Sequence, residues 1–272
     1  MIARVPSGVD VNVASASRVY DFYLGGSHHF GVDRVLAEQV LLAAPWVREV
    51  AHSNRAFLRR VVRYLVAEAG VRQFLDLGSG IPTVGNVHEI AQGLDVGCRV
   101  VYVDIDPVAV AHSEQLLAGN RRATVIEADV RDPAAILTHP RTLSMLDFDQ
   151  PVAVLMISVL LFVTDEEGPA ELVARYLSAL APGSYLAVSH GSTDDVSPRL
   201  RAQIDSVAAA YEKAGQPVIA RGRAEITSWF TGLELIDPRV VALPHWRPDS
   251  DHTDSYCTAL GYGGLGRTAR EP

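Results

Sequence analysis

A short glycine-containing loop follows an apolar run and has an acid just before it. Segment 74–83 reads Phe-Leu-Asp-Leu-Gly-Ser-Gly-Ile-Pro-Thr, which is typical of a buried strand that ends in a ligand-binding loop. Gly78 and Gly80 have no Cβ atom, so the backbone there can approach a bound molecule closely. Asp76 adds a negative charge that attracts an amino group and repels a phosphate. We predict that this loop, including Ser79 and Pro82, binds a cofactor.

Two further acids follow the next apolar runs. Asp104 ends the run 99–104, where a carboxylate can accept both hydroxyls of a ribose. Asp129 ends the run 124–129 and is placed to accept the exocyclic amine of an adenine, while the amide of Val130 donates to the ring. The alternative is that these aspartates only terminate strands, since aspartate is favoured in turns. We also assign to the cofactor site the two residues that follow Asp104, which are Ile105 and Asp106.

The three acids and the two glycines together favour S-adenosylmethionine over a dinucleotide. A dinucleotide fingerprint requires a third glycine at position 83, where this sequence has Thr83, and Pro82 intervenes. A pyrophosphate at the loop would also meet repulsion from Asp76, whereas a methionine amino group would be attracted. An NAD-dependent oxidoreductase is therefore the weaker reading.

The candidates for catalysis lie outside the loop. His190 ends the fifth apolar run, and the ordinary pKa of histidine suits a general base, although a purely structural histidine at a strand end stays an alternative. Tyr20 and Tyr23 are three residues apart on a predicted helix and would form part of a lid, with core packing as the alternative. Arg55 is placed to reach the methionine carboxylate or to form a surface ion pair, and Ser158 to touch the methionine end.

Composition and charge narrow the partners. The net charge of −8 gives no general attraction for nucleic acid, so we expect a small-molecule acceptor. The longest apolar run, 151–163, is shorter than the roughly 20 residues of a membrane span.

The cysteines and histidines give two further expectations. The sequence has two cysteines, Cys98 and Cys257, which do not have CxxC spacing, and this predicts a reducing, cytoplasmic setting. The adjacent His28 and His29 do not have metal-ligand spacing, and we predict no metal site.

The elements that position these residues follow a βαβ pattern. Apolar strands are predicted near 72–77, 99–104, 123–128, 152–158 and 184–189, with helices between them. Helix starts are predicted at Ser53, Asp106, Thr164 and Ser197, each of which is a good cap. Two β-rich runs, 233–243 and 255–261, would add two strands at one edge. The first 50 residues stand apart and contain a predicted helix over 33–44.

Several phrases of the sequence together resemble a known family. These are 18–26 (Arg-Val-Tyr-Asp-Phe-Tyr-Leu-Gly-Gly), 54–58 (Asn-Arg-Ala-Phe-Leu), 73–83, 86–89 (Asn-Val-His-Glu), 101–107, 151–155, 183–190 and 261–264 (Gly-Tyr-Gly-Gly). The chain is similar in these phrases to the class I S-adenosylmethionine-dependent methyltransferases, and specifically to an actinobacterial S-adenosyl methyltransferase family long described as a domain of unknown function. Pro82 replaces the usual third glycine of the methyltransferase loop, which is a feature of this branch.

The resemblance implies a Rossmann-like α/β fold with a mostly parallel, seven-stranded sheet flanked by helices. It implies an N-terminal helical extension or lid over residues 1–52 and a cofactor-binding domain over 53–272. The implied activity is methyl transfer from S-adenosylmethionine, with S-adenosylhomocysteine as product, to an O- or N-nucleophile of a small molecule. A protein that binds the cofactor without catalysis, as a sensor or regulator, is the alternative, and the oligomeric state is left open.

Overall fold

The computed structural model describes residues 9–82, 85–194, 196–249 and 260–269. The described residues contain one central β-sheet. Its strands are β1 (Gln73–Leu77), β2 (Arg99–Asp104), β3 (Ala123–Glu127), β4 (Ala153–Ile157), β5 (Tyr185–Gly191), β6 (Glu234–Leu235), β7 (Val241–Ala242) and β8 (Gly261–Arg267). The first five confirm the strands predicted from apolar runs, because strands buried on both faces of a parallel sheet are apolar almost throughout.

The helices lie before and between the strands. They are α1 (Ala16–Tyr23), α2 (Gly31–Ala43), α3 (Val47–Ala67), α4 (Val87–Leu94), α5 (Pro107–Leu116), α6 (Pro133–Leu137), α7 (Pro140–Met145), α8 (Pro169–Leu177), α9 (Pro198–Lys213) and α10 (Arg223–Ser228), with 3₁₀ turns at Leu160–Phe162 and Leu243–His245. None of the described helices has the length and apolar character needed to cross a membrane.

The strand order is β3-β2-β1-β4-β5-β8-β6, and β7 pairs with β8 beside this path. Strands β1 to β5 are parallel, whereas β8 pairs antiparallel with β5, β6 and β7. The described sheet therefore has eight strands and not the predicted seven, since the run 233–243 forms two short strands. The carboxyl ends of the five parallel strands meet at one edge, where ligands bind in such sheets.

An apolar layer covers each face of the sheet, because successive side chains of a strand point to opposite faces. On one face, Phe74 and Val100 pack with Phe57 and Leu65 of α3. On the other face, the neighbouring positions of the same strands pack with Leu172 and Tyr176 of α8. Because helices alternate with strands, the connecting loops lie at the two ends of the strands.

Strand β8 approaches the rest of the protein unusually closely. An added Cβ at Gly263 would lie 2.7 Å from the Phe57 ring and 2.8 Å from Leu243, and one at Gly264 would lie 2.8 Å from Val240. These glycines therefore allow helix α3 and the 240–243 segment to pack directly against the strand. The predicted strand 255–261 overlaps β8 only at Gly261, because residue 260 lies outside the strand and β8 continues to Arg267. Residues 255–259 lie outside the described part of the chain.

Two predicted helix starts are confirmed and two are wrong. The side chains of Asp106 and Ser197 accept backbone N–H groups at the starts of α5 and α9. Ser53 lies inside α3, which begins at Val47 because the amphipathic pattern continues upstream. The Thr164 amide donates to Glu167 at 2.7 Å as in a capping box, but α8 begins only after Gly168.

The N-terminal helices pack onto the sheet edge through buried charge. Arg18 donates to Asp33 at 2.8 Å and to Asp106 at 3.3 Å, and all three side chains are buried. Helix α2 covers nearly the predicted 33–44. Helix α3 runs without a break through residue 52, so the proposed boundary between extension and domain lies inside a helix.

Candidate active site

One cavity of about 360 Å³ lies at the carboxyl edge of the sheet, between the strand ends and helices α1, α3 and α9. Of the fifteen residues predicted for the site, thirteen line it: Tyr20, Tyr23, Arg55, Asp76, Gly78, Ser79, Gly80, Asp104, Ile105, Asp129, Val130, Ser158 and His190. The other two, Pro82 and Asp106, do not line it. Pro82 borders a small adjacent void, and Asp106 is buried as the cap of α5.

The glycine loop is held by hydrogen bonds to the next strand. Gly78 and Gly80 have φ values of 68° and 70°, in the left-handed region that glycine favours. The amides of Gly78 and Ser79 donate to the Val103 carbonyl at 2.8 and 3.0 Å, and the Gly80 amide donates to Asp104 at 2.7 Å. The loop that the sequence predicted is therefore fixed to strand β2 and lines the cavity.

Asp76 is a buried acid in the cavity wall. Burial raises the pKa of its carboxyl to about 7, the positive charge of Arg55 opposes that rise, and the nearby Asp104 adds to it. The Arg55 guanidinium donates to the Gly85 carbonyl at 2.9 Å, which fixes it beside the glycine loop. Asp76 therefore becomes a much better acceptor when a cation is bound next to it.

Asp104 already accepts three hydrogen bonds from the protein. The donors are the Gly80 amide at 2.7 Å, the Asp106 amide at 2.9 Å and the Ser17 hydroxyl of α1 at 3.1 Å. Burial raises its pKa to about 6, although these hydrogen bonds lower it. Ser15 of the same N-terminal segment donates to Asp106. The N-terminal segment thus contacts the acids at the end of β2, which sequence reasoning did not foresee.

Asp129 lies two residues beyond the end of β3, at the rim of the cavity. Its carboxylate accepts from the Arg131 backbone amide at 2.9 Å and from the Arg131 side chain at 2.9 and 3.0 Å. Arg131 also pairs with Glu167 at 2.9 Å. The Val130 carbonyl accepts from the Tyr176 hydroxyl at 2.8 Å, so the backbone next to Asp129 is fixed.

A chain of hydrogen bonds crosses the floor of the cavity. The Ser158 hydroxyl lies 3.4 Å from that of Ser189, which donates to Asn54 at 2.6 Å. Asn54 donates to the Tyr20 hydroxyl at 3.0 Å, and Tyr20 donates to the Ala51 carbonyl at 3.0 Å. Ser158 has a φ of 56°, which is uncommon for residues other than glycine. Such backbone conformations are often found at functional sites. Asn54 and Ser189 lie in two of the family phrases but were not predicted as site residues, because nothing in either phrase indicates that the two side chains meet.

His190 uses both ring nitrogens inside the protein. Nδ1 donates to the Gly191 carbonyl at 2.7 Å, and Nε2 accepts from Arg221 at 3.3 Å. Burial is the main cause that lowers its pKa to about 4. Arg221 in turn donates to the carbonyls of Leu160 and Val163 at 3.0 and 2.8 Å. The predicted role of His190 as a base stays a prediction, and this geometry favours a role in positioning Arg221.

The second half of the cavity is apolar, and sequence reasoning missed most of it. Its walls include Ile204, Val207 and Tyr211 of α9 and Val50 of α3. The hydroxyls of Tyr23 and Tyr211 lie 3.3 Å apart. The i, i+3, i+7 spacing on α9 was the available signal, although it reads equally well as a core-facing stripe.

Among the described residues, no group of three or more His, Cys, Asp and Glu side chains is placed to hold a metal ion. His28 and His29 both face the buried carboxylate of Asp21, with Nδ1 atoms at 3.8 and 3.1 Å. Cys98 is buried and unbonded, and Cys257 lies outside the described residues.

A family model described as S-adenosyl methyltransferase matches residues 3–269, which is nearly the whole chain. The chain belongs to the S-adenosyl methyltransferase family. This confirms the resemblance found in the sequence and the methyltransferase activity it implies. A nicotinamide enzyme and a cofactor-binding protein without catalysis have no support from this match.

Two solved structures resemble this S-adenosyl methyltransferase over nearly their whole length. A putative methyltransferase from Thermobifida fusca has 40% identity and a TM-score of 0.91, and the match covers 98% of this chain and 99% of that one. A DUF574 family protein from Streptomyces avermitilis has 37% identity and a TM-score of 0.90, with 95% and 99% covered. No match was found among proteins with curated functions. The class I methyltransferase fold is therefore confirmed.

The residues of the cavity fit S-adenosylmethionine, the cofactor of an S-adenosyl methyltransferase. The Ser79 hydroxyl oxygen is buried and has no hydrogen-bond partner among the described residues. A Cβ atom at Gly80 would meet no protein atom within 4 Å, so space remains beside the loop. Burial raises the pKa of Asp76, and a cation such as the methionine amino group favours its ionised form when bound beside it. The free hydroxyl, the space beside the loop and the acidic side chain are thus all compatible with S-adenosylmethionine.

Proposed function

We propose that the protein methylates an oxygen or nitrogen nucleophile of a small molecule. The observation that supports this is a single cavity that joins the acid-lined loops at the strand ends to an apolar half containing two phenols. When bound, S-adenosylmethionine supplies a methyl group on a positively charged sulfur, which leaves as a neutral thioether while the acceptor loses a proton. The protein has to align the acceptor and exclude water.

In this proposal, five of the predicted residues each bind one part of the cofactor. Asp104 accepts the ribose hydroxyls, and Asp129 with the Val130 amide binds the adenine. Asp76 attracts the methionine amino group, while Arg55 is placed for its carboxylate. Because Ser17 already donates to Asp104, the N-terminal segment bears directly on the ribose position. We propose that this segment is the lid that the sequence predicted.

The side chains near the expected position of the acceptor can form hydrogen bonds to it but are poorly suited to remove its proton. His190 is engaged through both nitrogens, and the pKa of Tyr23 is raised to about 12 by burial, so neither takes a proton readily at neutral pH. We propose that Tyr23 orients the acceptor and that the acceptor's proton is released to solvent. A net charge of −8 supports a small acceptor over a nucleic acid, and two cysteines without CxxC spacing support a cytoplasmic setting.

Calorimetry with S-adenosylmethionine and S-adenosylhomocysteine tests the cofactor assignment. Asp104→Asn is expected to weaken both affinities at least tenfold, because the neutral amide is a poorer acceptor for paired hydroxyls. Asp149→Asn is the matched control, since Asp149 is exposed. Failure of the folded parent protein to bind either compound would disprove the proposal.

Product formation tests catalysis separately. The protein is incubated with radiolabelled methyl donor and pooled small metabolites, and labelled products are separated by chromatography. A labelled small molecule that disappears with Asp104→Asn is expected. Tight cofactor binding without any labelled product across these pools would favour a binding protein instead of an enzyme.

A further inference from the structure

The apolar half of the cavity, which is continuous with the acid-lined half, is called here the acceptor chamber. Its walls are the inner faces of α1, α3 and α9 together with segment 216–220. Helix α9 contributes Ile204, Val207, Ala208 and Tyr211, which recur at i, i+3, i+4 and i+7 and so form one stripe. This stripe faces the chamber as well as the neighbouring helices, which means that an apolar surface is kept partly free of protein contacts.

The charges of the cavity are confined to its other half. Among the described lining residues, the acidic and basic side chains other than histidine are Arg55, Asp76, Asp104, Asp129 and Arg131. Arg55 lies near the middle of α3, and the other four lie within four residues of the ends of β1, β2 and β3, where the cofactor is assigned. A charged group on the acceptor would therefore lose water in the chamber without gaining a counter-charge, which is costly.

Polar groups are few in the chamber, and one pair is well placed. The hydroxyls of Tyr23 and Tyr211 lie 3.3 Å apart, and both residues are buried. Tyr20, by contrast, already accepts from Asn54 and donates to Ala51. The Tyr23 and Tyr211 pair shares one hydrogen bond between two hydroxyls, so donor and acceptor capacity is left for a ligand.

We propose that the methyl acceptor is an uncharged, predominantly apolar molecule that presents a hydroxyl or carbonyl oxygen to Tyr23 and Tyr211. This inference rests on the proposed function, because it assigns the chamber to the acceptor of methyl transfer. Burial keeps the pKa of Tyr23 at about 12 and that of Tyr211 well above its usual value. Both phenols therefore stay neutral and hydrogen-bond a neutral oxygen without creating charge.

Equilibrium dialysis against protein saturated with S-adenosylhomocysteine tests the chamber without requiring turnover. The probes are 2-naphthol, naphthalene and 6-hydroxy-2-naphthoate, which share one ring system. We expect 2-naphthol to bind at least tenfold more tightly than the naphthoate and at least threefold more tightly than naphthalene. Equal or tighter binding of the naphthoate, equal binding of naphthalene, or no binding of any probe would overturn the inference.

Two variants connect these preferences to the chamber. Val207→Arg places a cation in its wall and is expected to shift the ratio of naphthol to naphthoate affinity at least tenfold towards the naphthoate. Ala209→Arg, on the exposed side of α9, adds the same charge and should leave the ratio unchanged. Equal shifts in both variants would show a general charge effect and contradict the assignment.

The double variant Tyr23→Phe and Tyr211→Phe tests the phenols. We expect the preference for 2-naphthol over naphthalene to disappear while naphthalene affinity is kept, and an unchanged preference would contradict the role of the pair. Calorimetry with S-adenosylhomocysteine accompanies each variant. If the cofactor does not bind the parent protein, the proposed function fails; if it binds and the probes do not show the expected order, only the acceptor inference fails.

Discussion

At the scale of single residues, two acids carry an electrostatic cost that a ligand can relieve. The ordinary pKa of an aspartate is 3.8, whereas burial raises that of Asp76 to about 7 and that of Asp104 to about 6. A carboxyl with a higher pKa in the folded state binds its proton more tightly there than in the unfolded state. Its contribution to stability is therefore present at low pH and is lost as pH rises from about 4 to about 7.

We expect the melting temperature of the ligand-free protein to fall as pH rises through this window, and Asp76→Asn to reduce the fall because the amide does not ionise. Thermal unfolding at about pH 5 and about pH 8 measures the slope. Asp149→Asn, which changes an exposed carboxylate, should keep the parent slope. A slope in Asp76→Asn equal to that of the parent would contradict the assigned pKa.

His190 gives a second residue-level prediction. Because burial lowers its pKa to about 4 and both nitrogens are hydrogen-bonded, its ring should stay neutral at neutral pH. We expect its ring NMR signals to remain constant between about pH 5.5 and pH 8, whereas free histidine in the same buffer titrates. A midpoint inside this range would restore His190 as a candidate base.

At the scale of elements, one buried arginine joins the two N-terminal helices to the sheet edge. Arg18 joins α1 to Asp33 of α2 and to Asp106 at the start of α5. Removing one partner of a buried ion pair typically costs about 3–5 kcal/mol, since the remaining carboxylates lose their counter-charge. Arg18 is thus the charged anchor of the N-terminal segment, beside the hydrogen bonds of Ser15 to Asp106 and of Ser17 to Asp104.

We expect Arg18→Met to increase amide hydrogen exchange in α1 and α2 at least tenfold, with little change in the central strands. Arg34→Met, on the exposed face of α2, is the control and should leave exchange unchanged. Uniform acceleration over the whole protein would instead show that Arg18 supports global stability.

The elements also show what a sequence can predict. Strands β1 to β5 were predictable because buried apolar runs end at acids or turns, and the starts of α5 and α9 because Asp-Pro and Ser-Pro are strong caps. The start of α3 was missed because Ser53 is a plausible cap inside a longer amphipathic pattern. A local signal does not say whether a neighbouring helix packs against the residues before it.

The same distinction holds for the site. The acids of the strand-end loops were predictable, since parallel topology alone brings them to one edge. The pairing of Tyr23 with Tyr211, and of Asn54 with Ser189, joins residues far apart in sequence. These contacts follow from how α1, α3 and α9 pack, which no spacing in the chain encodes.

At the scale of the whole molecule, the glycines of β8 determine how closely the layers approach. Position 263 has no room for a Cβ atom between the Phe57 ring and Leu243. A side chain here would force α3 and the segment 240–243 away from the sheet. Overpacking of this kind costs about 1–3 kcal/mol.

We expect Gly263→Ala to lower the free energy of unfolding by about 1–3 kcal/mol. Chemical denaturation measures the loss, and adding Phe57→Leu should recover part of it in a double-mutant cycle. Gly93→Ala is the control, because an added Cβ in α4 meets no atom within 4 Å. Independent, additive losses from Gly263→Ala and Phe57→Leu would contradict the steric explanation.

The position of β8 also determines when the strands of the sheet can pair while the chain is being synthesised. Within the described residues, β6 and β7 pair with β8 alone, and β8 covers the outer side of β5. A ribosome-bound chain therefore exposes the edge of β5, and leaves two strands without partners, until residue 267 has emerged from the exit tunnel. The five strands whose ends form the cofactor edge thus all precede, in sequence, the strand that closes the sheet beside β5.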